Sequence, residues 1–129
     1  MRRTEIIKRF NSLYLGDSVL QQFVMETAEA QCRLRFNSGK VLKSEGTSIF
    51  DPETKFEPAL LHLHAVKSIC WEPTSYQLNS TVVDFGAVPS TDNGYIEFYF
   101  DLTGGTDPES FLVRVKVLAR DFAFGTVAP

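Results

Sequence analysis

One stretch constrains this chain more than any other. From Tyr95 to Leu102 (Tyr-Ile-Glu-Phe-Tyr-Phe-Asp-Leu) apolar residues alternate with polar or amphipathic ones, and Phe111 to Leu118 (Phe-Leu-Val-Arg-Val-Lys-Val-Leu) alternates again. Side chains on a strand point to opposite faces at period two, so each segment has an inner and an outer row. The Gly/Pro/Asp-rich connection from Thr103 to Ser110 lets the two fold back as an antiparallel hairpin. Setting Leu102 opposite Phe111 pairs Phe100 with Val113, Phe98 with Val115 and Ile96 with Val117 on one face. The same register pairs Glu97 with Lys116 and Tyr99 with Arg114 on the other. Those are an opposite-charge pair and a cation–π pair, each worth a few tenths to about 1 kcal/mol.

The rest of the chain extends this β pattern. Thr4 to Leu13 places Ile6, Ile7, Phe10 and Leu13 at helical spacing, with Thr4 as the expected N-cap, so one short N-terminal helix should lay its apolar stripe on the sheet. Val19 to Glu26 and Ala30 to Phe36 read as strands, closing a hairpin with Phe23 opposite Cys32. Asn37-Ser38-Gly39 reads as a turn, with Lys40 to Ser44 returning from it. Asp51-Pro52-Glu53-Thr54 is a type I turn signal inside an irregular segment, Glu45 to Pro58. Ala59 to Trp71 is expected as one long, bent strand, followed by Tyr76 to Phe85, a connection from Gly86 to Gly94, and the opening hairpin. Ala119 to Val127 continues the last strand, with Phe122 and Phe124 on one face. The expectation is mainly β: about seven antiparallel strands in a sandwich or partly closed barrel, with one short helix, over a single domain of residues 1–129. Eleven Phe in 129 residues support it, since Phe fills such interiors.

Charge and composition restrict the function classes. A net charge of −3 argues against general nucleic-acid binding, which needs a basic footprint. Arg2, Arg3, Lys8 and Arg9 are a local exception, read as a solvated helix face or as a patch for an acidic partner. The two cysteines, Cys32 and Cys70, form no C-x-x-C pattern and no cleavable leader is recognisable, which points to a reduced, cytoplasmic protein. No apolar run is long enough to cross a bilayer.

Motifs that carry chemistry are sparse. His62-x-His64 has metal-like spacing, because residues i and i+2 of a strand project from one face. Cys70 shares that parity but lies eight residues beyond His62, on the order of 26 Å along a straight strand. Asp84 or Glu97 would have to arrive from a neighbouring strand. Glu97 and Asp101 are about 13 Å apart along theirs, beyond the roughly 5–9.5 Å of glycosidase carboxylate pairs. Cys32 lies on an inward row, where a thiol is inert, and Cys70 beside Trp71 reads as a core residue. No serine lies in a nucleophile elbow, and Gly104-Gly105 is a turn instead of a phosphate loop. Tyr95, Tyr99 and Arg114 form a candidate aromatic and basic binding surface, Tyr and Arg being enriched at hot spots. Tyr14 and Asp17, in the turn after the helix, are a further binding candidate.

Phe10-Asn11-Ser12-Leu13-Tyr14-Leu15-Gly16-Asp17 resembles the N-terminal segment of a family of small uncharacterised bacterial proteins, in which Tyr-Leu-Gly-Asp precedes the first strands. The similarity extends through Ile69 to Pro73 and Val113 to Phe122. Ser18-Val19-Leu20 departs from the family pattern, where a basic residue and then Cys follow. The resemblance implies a bacterial, single-domain, mainly β protein and brings no activity with it. Two readings remain. The first is a non-catalytic binding or interaction module, acting through the sheet face or the Glu45 to Pro58 loop on another protein or on a second copy as a dimer; an immunity-type role fits its size and acidity by analogy alone. The second is a small-ligand or metal-binding β domain, conceivably an enzyme, with its pocket inside the β layers and His62 and His64 as the polar groups near it. No cofactor is expected, and neither nucleic acid nor membrane as a partner.

Overall fold

The period-two segments of the sequence fold as strands. The computed structural model describes residues 2–15, 18–41, 57–72, 80–92, 94–104 and 111–126. Its elements are α1 (Arg3–Asn11), β1 (Leu13–Tyr14), β2 (Leu20–Glu26), β3 (Gln31–Val41), β4 (Glu57–His64), β5 (Ser68–Glu72), β6 (Thr81–Pro89), β7 (Ile96–Gly104), β8 (Phe111–Ala119) and β9 (Asp121–Thr126), with a 3-10 turn at Thr27–Glu29. All strand pairs are antiparallel and make two sheets. One sheet runs β3-β4-β9, with β1 and β2 sharing the outer edge of β3; the other runs β5-β8-β7-β6.

The inner rows meet in one core. Cys32, Leu34 and Phe36 of β3, Leu61 and Leu63 of β4 and Phe122 of β9 face Ile96, Phe98, Phe100 and Leu102 of β7 and Val113, Val115 and Val117 of β8. Helix α1 closes one side. Its Phe10 is fully buried and meets Phe98 edge-on at 4.9 Å and Phe122 at 5.2 Å. Burying such a ring contributes about 1.5–3 kcal/mol, and edge-to-face contacts add to it. Asn11, at the end of α1, accepts from the Ala87 N–H (2.9 Å) and donates to the Ala87 carbonyl (3.2 Å). Its side chain thus imitates a paired strand on the edge of β6, whose amides would otherwise face solvent or a stray strand.

Two corners join the sheets. β4 passes into β5 through Ala65–Lys67, where Ala65 takes a left-handed φ of 54°, and β8 passes into β9 at Arg120. The corners are bonded together: the Lys67 N–H donates to the Leu118 carbonyl and the Arg120 N–H to the His64 carbonyl. A pair of strands therefore continues from one sheet into the other. Across the molecule, Leu20 N–H to Ser80 carbonyl (2.9 Å) and Val82 N–H to Ser18 carbonyl (2.8 Å) bridge the edges of β2 and β6.

The mainly β, sandwich-like class agrees with the sequence expectation, and several details correct it. Nine strands are present among the described residues instead of about seven, because the chain breaks at Ala65 and Arg120 as it changes sheet. The opening hairpin is shifted by two residues. Leu102 lies opposite Val113, Phe100 opposite Val115, Phe98 opposite Val117 and Ile96 opposite Ala119. Glu97 consequently faces Leu118 and not Lys116, and Tyr99 faces Lys116 and not Arg114. A slip of two preserves both faces, so alternation alone cannot reject it. Phe23 pairs with Leu34 and Cys32 with Met25, since the 3-10 turn lengthens the connection. The expected turn at Asn37-Ser38-Gly39 is instead an irregularity within β3, between Phe36 and Gly39. Asn37 turns its side-chain oxygen to Ser18 Oγ and the Val19 N–H. Thr4 is helical, and Arg2 occupies the N-cap without a side-chain bond. β6 runs on to Pro89 where a connection was expected from Gly86. The Asp51–Thr54 turn lies outside the described residues.

Candidate functional site

The outer face of the four-stranded sheet carries a dense set of polar and aromatic side chains, set by the strand register. Glu72, Arg114, Asp101 and Asp84 lie in one row across β5, β8, β7 and β6. Cys70, Lys116, Tyr99 and Gly86 form the next, followed by Ser68, Leu118, Glu97 and Val88. Arg114 binds Asp101 with two donors, Nε at 2.6 Å and Nη2 at 2.8 Å, the fork geometry that only arginine offers. Hydrogen bonding to Asp101 and the charge of that carboxylate hold the Arg114 guanidinium above its usual pKa. Arg114 also lies 5.2 Å from the centre of the Tyr99 ring. The expected cation–π contact is therefore made, but diagonally. Lys116 reaches Glu72 at 3.5 Å.

Gly86 lets the Tyr99 ring lie down on the sheet. A Cβ there would stand 2.7 Å from the Tyr99 hydroxyl and 2.9 Å from two ring carbons. Burial, then the Asp84 carboxylate, raises the Tyr99 phenol above its ordinary pKa; Arg114 acts against them. The face thus holds two ion pairs, Arg114 with Asp101 and Lys116 with Glu72, beside a neutral phenol. The Asp101, Glu72 and Gly86 roles escaped the sequence reading. Asp101 shares the outward parity of Tyr99, and a hairpin register shifted by two residues sets it against Arg114.

The structure divides the other candidate residues. Tyr95 does not join Tyr99 and Arg114. It sits at the corner, with Lys67 Nζ 5.3 Å and the Arg120 guanidinium 4.8 Å from its ring centre. Lys67 pairs with Asp92 at 3.0 Å, and Arg3 donates to the Ser90 and Tyr95 carbonyls. Tyr14 is half-buried and meets Phe85 edge-on at 6.3 Å, a packing contact. Asp17 lies outside the described residues. His62 and His64 do project from one face of β4, with ring centres 6.1 Å apart. Asp84 and Glu97, considered as third ligands, are on the other sheet, as is Cys70. Among the described residues no group of three or more His, Cys, Asp and Glu side chains is placed to hold a metal ion.

The thiols differ as well. Cys32 is fully buried, and burial pushes its pKa up to about 12. Cys70, expected in the core, is exposed, with Sγ 3.8 Å from a Glu72 carboxylate oxygen. It faces outward because the corner at Ala65–Lys67 carries β5 onto the second sheet, where Ile69 and Trp71 take the inner row. A shallow open groove of about 400 Å³ lies between the β2–β3 turn and the start of β5, lined by residues that include Met25, Ala30, Val66 and Ile69.

No family model and no curated protein matches the chain. Among solved structures it is similar to an uncharacterized protein from Neisseria gonorrhoeae, with a TM-score of 0.51 and 9% identity, over 89% of this chain and 96% of that one. At that identity the likeness is one of fold. No helix among the described residues is long and apolar enough to cross a membrane.

Proposed function

We propose that this is a non-catalytic interaction module whose docking surface is the outer face of the β5-β8-β7-β6 sheet, and that it works in the reducing cytoplasm. One observation carries the reading. Of the four large aliphatic side chains exposed among the described residues, three belong to this sheet: Leu112 (62%), Val83 (52%) and Val88 (38%). Tyr99 and Arg114 stand among them, already held by Gly86 and Asp101. Pre-ordered aromatic and arginine side chains with apolar neighbours are the composition of binding hot spots, and less freedom is lost when such groups are covered. The partner is a protein, a second copy included. Two free cysteines, one of them exposed, support the reducing location.

The test is the size of the native particle. In extract of cells making the protein at its natural level, the wild type should elute well above its 14.5 kDa. The Tyr99→Ala, Leu112→Asp variant should elute as the free chain while keeping the wild-type thermal midpoint within a few degrees. Identical elution of the two proteins would refute the reading.

A further inference from the structure

A second feature lies on the opposite side of the molecule and is independent of that docking face. β4 presents His62 and His64 on the outer surface of the five-stranded sheet, both half-buried, with ring centres 6.1 Å apart and planes at 68°. On one side β9 sets the small Ala123 opposite His62 and Asp121 opposite His64. One Asp121 oxygen accepts from the Phe122 N–H at 2.7 Å, which leaves the other outside that bond. On the opposite side Arg33 is paired with His62. Its guanidinium, however, reaches Glu26 on β2 at 2.6 Å, across β3 from the histidines. The cation nearest in register is thereby engaged by an anion through Nη2, its Nε having no partner among the described residues, and Asp121 is the acidic residue opposite His64 in register.

We infer that His62 and His64 form a two-imidazole chelate for a borderline divalent ion such as Zn²⁺, with the Asp121 charge beside it and water filling the remaining positions. Imidazole nitrogen is a preferred ligand of Zn²⁺ and Cu²⁺ at about 2.0–2.1 Å. Calcium and magnesium, which take oxygen ligands, are disfavoured. Two imidazoles on one strand face, two residues apart, converge on a single ion by side-chain rotation without movement of the backbone.

Calorimetric titration of untagged Cys70→Ser protein with ZnCl₂ tests this, the substitution removing an exposed competing thiol. One equivalent should bind. His62→Ala and His64→Ala should each weaken binding by no less than the ~10–100-fold that losing a supporting contact alone costs. Both histidines are half-buried on an outer face, so thermal unfolding should confirm that these variants stay folded. Absence of saturable binding, or binding that survives both substitutions, would overturn the inference.

Discussion

Arg114 shows how one side chain can organise a surface. Its two bonds to Asp101 and its position over Tyr99 fix three residues on adjacent strands. Side-chain exposure of 46% for Arg114 against 15% for Asp101 limits what the pair contributes. A double-mutant cycle at Asp101 and Arg114 should give a coupling of a few tenths to about 1 kcal/mol, towards the top of the range for exposed pairs because it is bidentate. Glu97 and Lys116 are only diagonal neighbours, so the same cycle there should give a weaker coupling; a coupling as strong as that of Asp101 and Arg114 would restore the rejected register. Cys32 makes a different kind of prediction. Its thiol pKa rises from the ordinary 9.0 to about 12 on burial, so the folded state holds its proton where the unfolded chain loses it. Stability from this group is intact below about pH 9 and declines as pH climbs from 9 towards 12. Denaturant melts across that interval should fall more steeply for wild type than for Cys32→Ala. Parallel lines would mean that the thiol is not buried.

Strand patterning made β2, β3, β7 and β8 legible in the sequence, with α1 from its apolar spacing. What was hidden is where the chain changes sheet. Ala65 and Arg120 interrupt apparently continuous patterns, and neither is a Gly or Pro that would announce a corner. The bend expected within Ala59–Trp71 is real; its consequence, placing Cys70 and His62 on different sheets, follows only from pairing. Asn37-Ser38-Gly39 misled in the opposite sense, since turn-forming residues there serve an irregularity and the Ser18 contact. Edge protection by Asn11 was equally invisible, because it depends on a partner 76 residues away. Asn11→Ala should cost about 1–3 kcal/mol, the penalty for leaving backbone groups without a partner. Amide exchange at Ala87 should accelerate in that variant. Unchanged protection at Ala87 would show that something other than Asn11 covers the β6 edge.

The whole molecule depends on a ring that belongs to neither sheet. Phe10 projects from α1 between Phe98, Phe100 and Phe122 and ties the helix to both sheets. Phe10→Ala should therefore destabilise by about 3–5 kcal/mol, the range for an aromatic ring deleted from a core. A loss under about 1 kcal/mol would mean that the helix is not part of the core. The core is filled by Phe, Leu and Val side chains, and the polar and aromatic groups described above lie on the two outer faces. The aromatic and arginine composition of one face was legible in Tyr99 and Arg114, but its boundaries were not, because they depend on register. Site-specific photo-crosslinking asks most directly whether that face meets a partner. A benzophenone side chain at Leu112, on the proposed docking face, is compared with one at Ala123, on the outer face of the other sheet. A discrete protein adduct is expected from position 112 alone. Equal adducts from both positions, or none from 112, would contradict it.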